Sequence, residues 1–158
     1  MFASVHESFV VRFVILVCSI LTAIFIATAP GACKPYSHQG VEYCRVDSSL
    51  NISLWKGRLW GQMPILVIPV ILAWIPFITS CFDMTSTQLL IDLFSAVVIA
   101  ALGGAEAWYA SGFGNPEYKI VAGWAAASGI LFFSAVLYLT NAGAVIVNLR
   151  YKYRLKRV

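Results

Sequence analysis

Four long apolar stretches occupy most of this chain and limit what it can become. The first runs from about Val10 to Ala29 and carries only Arg12, and the second, Met63 to Cys81, carries no charge. The third, Leu89 to Tyr109, holds Asp92 and Glu106, and the fourth, Ile120 to Leu149, is again uncharged. Each approaches or exceeds the ~20 residues a helix needs to cross about 30 Å of hydrocarbon. Within lipid every backbone polar group needs an internal partner, which leaves helices and closed barrels. Barrel strands are about half this length and alternate polar with apolar residues, so helices are expected. Composition agrees: 60% of the 158 residues are hydrophobic and 11% are charged, where soluble domains carry about 25% charge. The expectation is an all-α membrane protein, a single four-transmembrane-helix bundle with spans near 10–29, 63–81, 89–109 and 120–149 and an outer loop over 30–62.

An even number of crossings puts both termini on one side. The last nine residues hold Arg150, Lys152, Arg154, Lys156 and Arg157, a basic cluster directly after an apolar segment. Such a cluster reads as a cytoplasmic stop, each basic side chain gaining roughly 1 kcal/mol near anionic headgroups. Its attachment to a span argues against nucleic acid as the partner and for membrane lipid. The loop over 30–62 contains Cys33 and Cys44, an expected disulfide in an oxidising compartment, and Asn51-Ile52-Ser53, an N-glycosylation acceptor. Raw charge is less decisive, because Lys34, Arg45, Lys56 and Arg58 lie in that loop too. The predicted arrangement has cytoplasmic N and C termini and one disulfide-braced outer loop, in the plasma membrane or a secretory-pathway vesicle. The first stretch is expected to remain as a span: it has no basic n-region, and its apolar run is longer than the 7–15 residues typical of a cleaved signal.

The few polar residues in the spans matter most. A carboxylate in hydrocarbon costs about 2.5–3.5 kcal/mol even on the milder insertion scale, unless it is paired or reaches the interface. Arg12, Asp92 and Arg150 fall at the same inner level, and an intramembrane clamp pairing Asp92 with Arg12 or Arg150 is expected. Glu106 follows Asp92 by fourteen residues, nearly four turns on one face and about 21 Å along the axis. That is too far for joint acid–base work, and Glu106 is expected at the outer interface, reaching water or Lys119. Ala100/Gly104, Gly103/Ala107 and Ala125/Gly129 have the small-xxx-small spacing that lets backbones approach. They predict packing of the third helix on the fourth, with self-association as the alternative. Pro64, Pro69 and Pro76 predict a bent second helix. In the outer loop, short strands are expected at 41–43 and 50–54. Trp55 and Trp60 suit headgroup anchoring, the alternative being a contact surface for a partner.

Catalytic or metal-binding chemistry finds no support in these residues. His6 and His38, the two histidines, lack partners at ligand spacing, and no phosphate-binding glycine loop follows a strand. No cofactor, small-molecule substrate or enzymatic activity is expected.

The chain resembles the MARVEL-domain family of tetraspan membrane proteins, which includes synaptophysin and occludin. Three segments carry the resemblance: FVVRFVILV, with Arg12 opening the first helix; LLIDLFSAVVIAALGGAEAW, with Asp92 ahead of a small-residue run; and ILFFSAVLYLTNAGAVIVNLRYK, closing in basic residues. The resemblance spans Val10 to Lys152 and implies a non-enzymatic protein of membrane apposition, vesicle traffic or cell junctions. Claudin-like tetraspans are the rival. Their Trp-Gly-Leu-Trp-Cys-Cys pattern is faintly matched by Gly57-Arg58-Leu59-Trp60, but here both cysteines precede the tryptophans. Further alternatives are an auxiliary subunit of a larger channel, receptor or pump, and a small transporter built on Asp92 and Glu106. The expected partners are lipids and other membrane proteins, or a second copy of the chain.

Overall fold

The computed structural model describes residues 2–29, 33–46, 62–79, 85–112 and 119–155. Four helices appear in chain order: α1 (Phe2–Thr28), α2 (Met63–Thr79), α3 (Thr85–Ala110) and α4 (Ala122–Leu155). A β-hairpin of β1 (Cys33–His38) and β2 (Val41–Val46) follows α1. Within α1, α3 and α4 lie segments Phe9–Thr28, Ser86–Ala110 and Ala122–Arg150, long and apolar enough to cross a membrane. The remaining helix, α2, is also apolar but has 17 residues, at about 1.5 Å each a length of about 26 Å. Its prolines are accommodated within it: Pro64 suits the first turn, where its missing N–H is no loss, and Pro69 and Pro76 each remove one donor from the ladder inside the helix. The expected second span ran on to Cys81, which lies outside the described residues.

The helices close into a ring. α3 and α4 share the most extensive interface, α1 packs between α4 and α2, and α2 meets α3 more lightly. Each contributes one buried stripe at three- and four-residue intervals, such as Ile15, Ser19, Thr22 and Ile26 on α1, or Trp124, Ala127, Leu131, Ser134 and Tyr138 on α4. The outward faces are apolar: Phe13, Ile24, Ile71, Phe94, Val97, Phe133 and Val136 are all exposed. Arg12, Ser19, Thr22, Gln62, Asp92, Ser95, Glu106, Ser128, Ser134 and Asn141 are all buried. Apolar outside and polar inside is the distribution that a lipid solvent selects.

The hairpin turns at Gln39-Gly40, both at positive φ (54° and 77°). Two such residues form the tight turn whose twist matches the paired strands. Its register sets Tyr36 opposite Tyr43 and Pro35 opposite Cys44, and the two tyrosine rings stack at 5.6 Å. The expected strand at 41–43 is thus the first half of β2, paired with a β1 that the sequence reading missed. The expected strand at 50–54 lies outside the described residues. The hairpin is tied to the bundle by an antiparallel bridge from Cys33 to Lys119, with Lys119 N donating to Cys33 O at 2.9 Å. Val121 N donates to Ala110 O at 3.0 Å, closing the α3–α4 connection.

Candidate functional site

The buried polar side chains gather in two layers, one near each end of α3. At its N-terminal end stands Asp92, fully buried, with Arg12 of α1 only 1% exposed. Arg12 Nη2 lies 3.8 Å from Asp92 Oδ2, and Arg12 Nη1 donates to the carbonyl of Pro76. That carbonyl belongs to the last turn of α2, where helical acceptors run out of intrahelical donors. One guanidinium therefore joins α1 to α2 and α3. From α4, Asn141 Nδ2 donates to Asp92 Oδ2 at 2.6 Å, bringing the fourth helix into the same layer.

Arg150 does not take part. It is exposed and lies nine residues beyond Asn141, roughly 13 Å further along α4. The expectation of a cationic partner from α4 is corrected: α4 supplies an amide, which donates to the carboxylate without adding a second buried charge.

A further bond supports this layer from α4. Tyr138 Oη donates to Leu72 O at 2.9 Å. Leu72 precedes Pro76 by four residues, so its carbonyl is the one that Pro76, lacking an N–H, leaves without a helical donor. The tyrosine replaces the missing bond and fastens α2 to α4.

The second layer corrects another expectation. Glu106 is 0% exposed and does not reach Lys119. Gln62 Nε2, just ahead of α2, donates to both its oxygens at 3.2 and 3.1 Å. Lys119 instead pairs with Glu42 of β2 at 3.1 Å, on the exposed surface. The helical period that carries Asp92 inward carries Glu106 inward as well, since fourteen residues return to one face. Trp108, at a different angle, remains exposed.

The small residues divide differently from their sequence spacing. Gly103 is buried against α4, where an added Cβ would come within 3.3 Å of Leu131 Cβ. There Ser128 Oγ donates to Gly103 O at 2.9 Å. Ala100 is partly buried against the core. Gly104, Ala107, Ala125 and Gly129 are exposed, and a Cβ on Gly104 or Gly129 would meet nothing within 4 Å. They are not contacts within the bundle. Among the described glycines the tightest approach is at Gly123, missing from the expected set, where a Cβ would lie 3.0 Å from Ala29 Cβ and 3.1 Å from Phe25 O.

No family model, curated protein or solved structure matches the chain.

Other expected sites fall partly or wholly outside the described residues. Asn51, Trp55, Trp60, Lys156 and Arg157 lie outside them, and Lys152 and Arg154 are described only as backbone of α4. Cys33 and Cys44 stand on one face of the hairpin, diagonally across the strands by register, with Cys44 described as backbone alone. Asn141, Gln62 and Tyr138 were not anticipated. Asn141 had a usable signal: it is a polar residue on the same α4 face as Tyr138 and Ser134, at intervals of three and four. Gln62 had none, since it stands just ahead of α2 and outside its helical pattern.

Proposed function

We propose that the protein is a non-enzymatic, four-crossing membrane organiser of MARVEL-like build. It acts through lateral helix packing and outer-loop contacts in membrane apposition, vesicle traffic or cell junctions. One observation carries this reading: the buried ionic and amide groups are spent on one another across helices, while the outward surface is an apolar mantle. An interior occupied in this way locks helices together, and interaction is left to the mantle and the hairpin. In this reading both termini are cytoplasmic, and Lys152, Arg154, Lys156 and Arg157 rest among anionic headgroups. The hairpin then faces a lumen or the cell exterior, braced by a Cys33–Cys44 bridge, with Asn51 glycosylated beyond it. The diagonal relation of the two cysteines on one ribbon face supports the bridge, and the stacked Tyr36–Tyr43 pair offers a rigid outward contact.

The test is chemical crosslinking in intact membranes, followed by purification in mild detergent and native mass spectrometry. The expected result is retained copies of the chain or retained membrane proteins, together with reconstituted vesicles that take up no solute beyond protein-free controls. A single stoichiometric partner much larger than this chain would assign it to an auxiliary subunit instead. A lone, uncrosslinked chain that supports uptake would overturn the proposal.

A further inference from the structure

Between the two polar layers, a void of about 10 Å³ is lined by Ile15, Ser19, Pro69, Ile99, Leu131, Ser134 and Tyr138. Its volume is close to the room one water molecule requires. Three hydroxyls line it, and each already donates its proton elsewhere: Ser19 Oγ to Leu16 O at 2.7 Å, Ser134 Oγ to Ile130 O at 2.9 Å, and Tyr138 Oη to Leu72 O. Each hydroxyl oxygen therefore presents only lone pairs to the void. A guest that fits must be small, must donate more than one hydrogen bond, and need not be charged. Water meets all three conditions.

A second observation points the same way. Arg12 Nε, Arg12 Nη2 and Asp92 Oδ1 are buried without a hydrogen bond among the described residues, and the Arg12–Asp92 separation of 3.8 Å exceeds a direct bond. Buried groups of this kind are ordinarily satisfied by ordered water. Tyr138 connects the two places, because it lines the void and stands about one turn of α4 before Asn141, which donates to Asp92. We propose that this void is a built water-binding site, in which one water donates its two hydrogen bonds to two of the three hydroxyl oxygens of Ser19, Ser134 and Tyr138.

Hydroxyl-radical footprinting of the full chain in lipid nanodiscs tests the site, because radicals generated from a bound water oxidise the side chains beside it. After normalisation for intrinsic reactivity, Tyr138 is expected to be labelled several-fold faster than Ile26 and Ile65, which are equally buried. The double variant Ser19→Ala/Ser134→Val removes two of the acceptors and fills the void, and should bring Tyr138 down to the level of those isoleucines. Tyr138 labelling no faster than Ile26 in the native protein would overturn the proposal, as would undiminished labelling in a folded double variant. If the double variant does not fold, the contrast between Tyr138 and the two isoleucines in the native protein decides alone.

Discussion

Arg12 is the residue on which most of the bundle converges, because its guanidinium meets a carboxylate on α3 and a carbonyl on α2 at once. Removing one member of a buried ion pair strands the other charge and costs about 3–5 kcal/mol, whereas replacing both with apolar groups of similar size is far milder. Asp92→Leu and Arg12→Met are each expected to destabilise the bundle by that amount, and the double variant by clearly less than their sum. The coupling should be on the order of 1–3 kcal/mol, read by unfolding in mixed micelles followed by tryptophan fluorescence. Strictly additive losses would show that the two side chains do not interact. That Arg12 and Asp92 meet was legible in the sequence, because two opposite charges at one depth in hydrocarbon have few other ways to be satisfied. The choice of Asn141 over Arg150 was not legible: charge alone favoured the arginine, and only the helix register brings the amide level with the carboxylate.

Among the elements, α2 depends most on its neighbours. Its prolines at 69 and 76 remove backbone donors, and the bond lost at Leu72 is restored by Tyr138 on α4. Tyr138→Phe should therefore cost about 1–3 kcal/mol, the penalty of leaving a buried acceptor unmet. In a Pro76→Ala background, residue 76 regains an N–H able to donate to Leu72 O, and the same tyrosine change should cost much less. An equal cost in both backgrounds would sever the proposed link between the proline and the tyrosine. The four apolar helices could be foreseen from length and hydropathy alone. Which faces turn inward was harder, because small-residue spacing fits both bundle packing and an outward face. Gly104 and Gly129 satisfy that pattern and face outward, while the close contact at Gly123 depends on where α1 ends beside α4.

For the whole molecule, the distribution of polarity is the organising fact: ionic and amide groups inside, a mantle of Phe, Val and Ile outside. That inversion needs lipid around every helix, and α2 is the element on which it bears hardest. Three helices are long enough to cross without help, while α2 is shorter and ends at the Arg12 layer. If α2 crosses, its Gln62 end and its Pro76 end lie near opposite faces of the bilayer, as the separation of the two polar layers along α3 requires. Both chain termini then share one side. The most direct measurement is protease protection of short epitope tags at the two termini in sealed, right-side-out cells. Both tags should resist protease until the membrane is permeabilised and then be lost together. Loss of one tag from intact cells while the other survives would mean an odd number of crossings, and would contradict the four-helix arrangement in lipid.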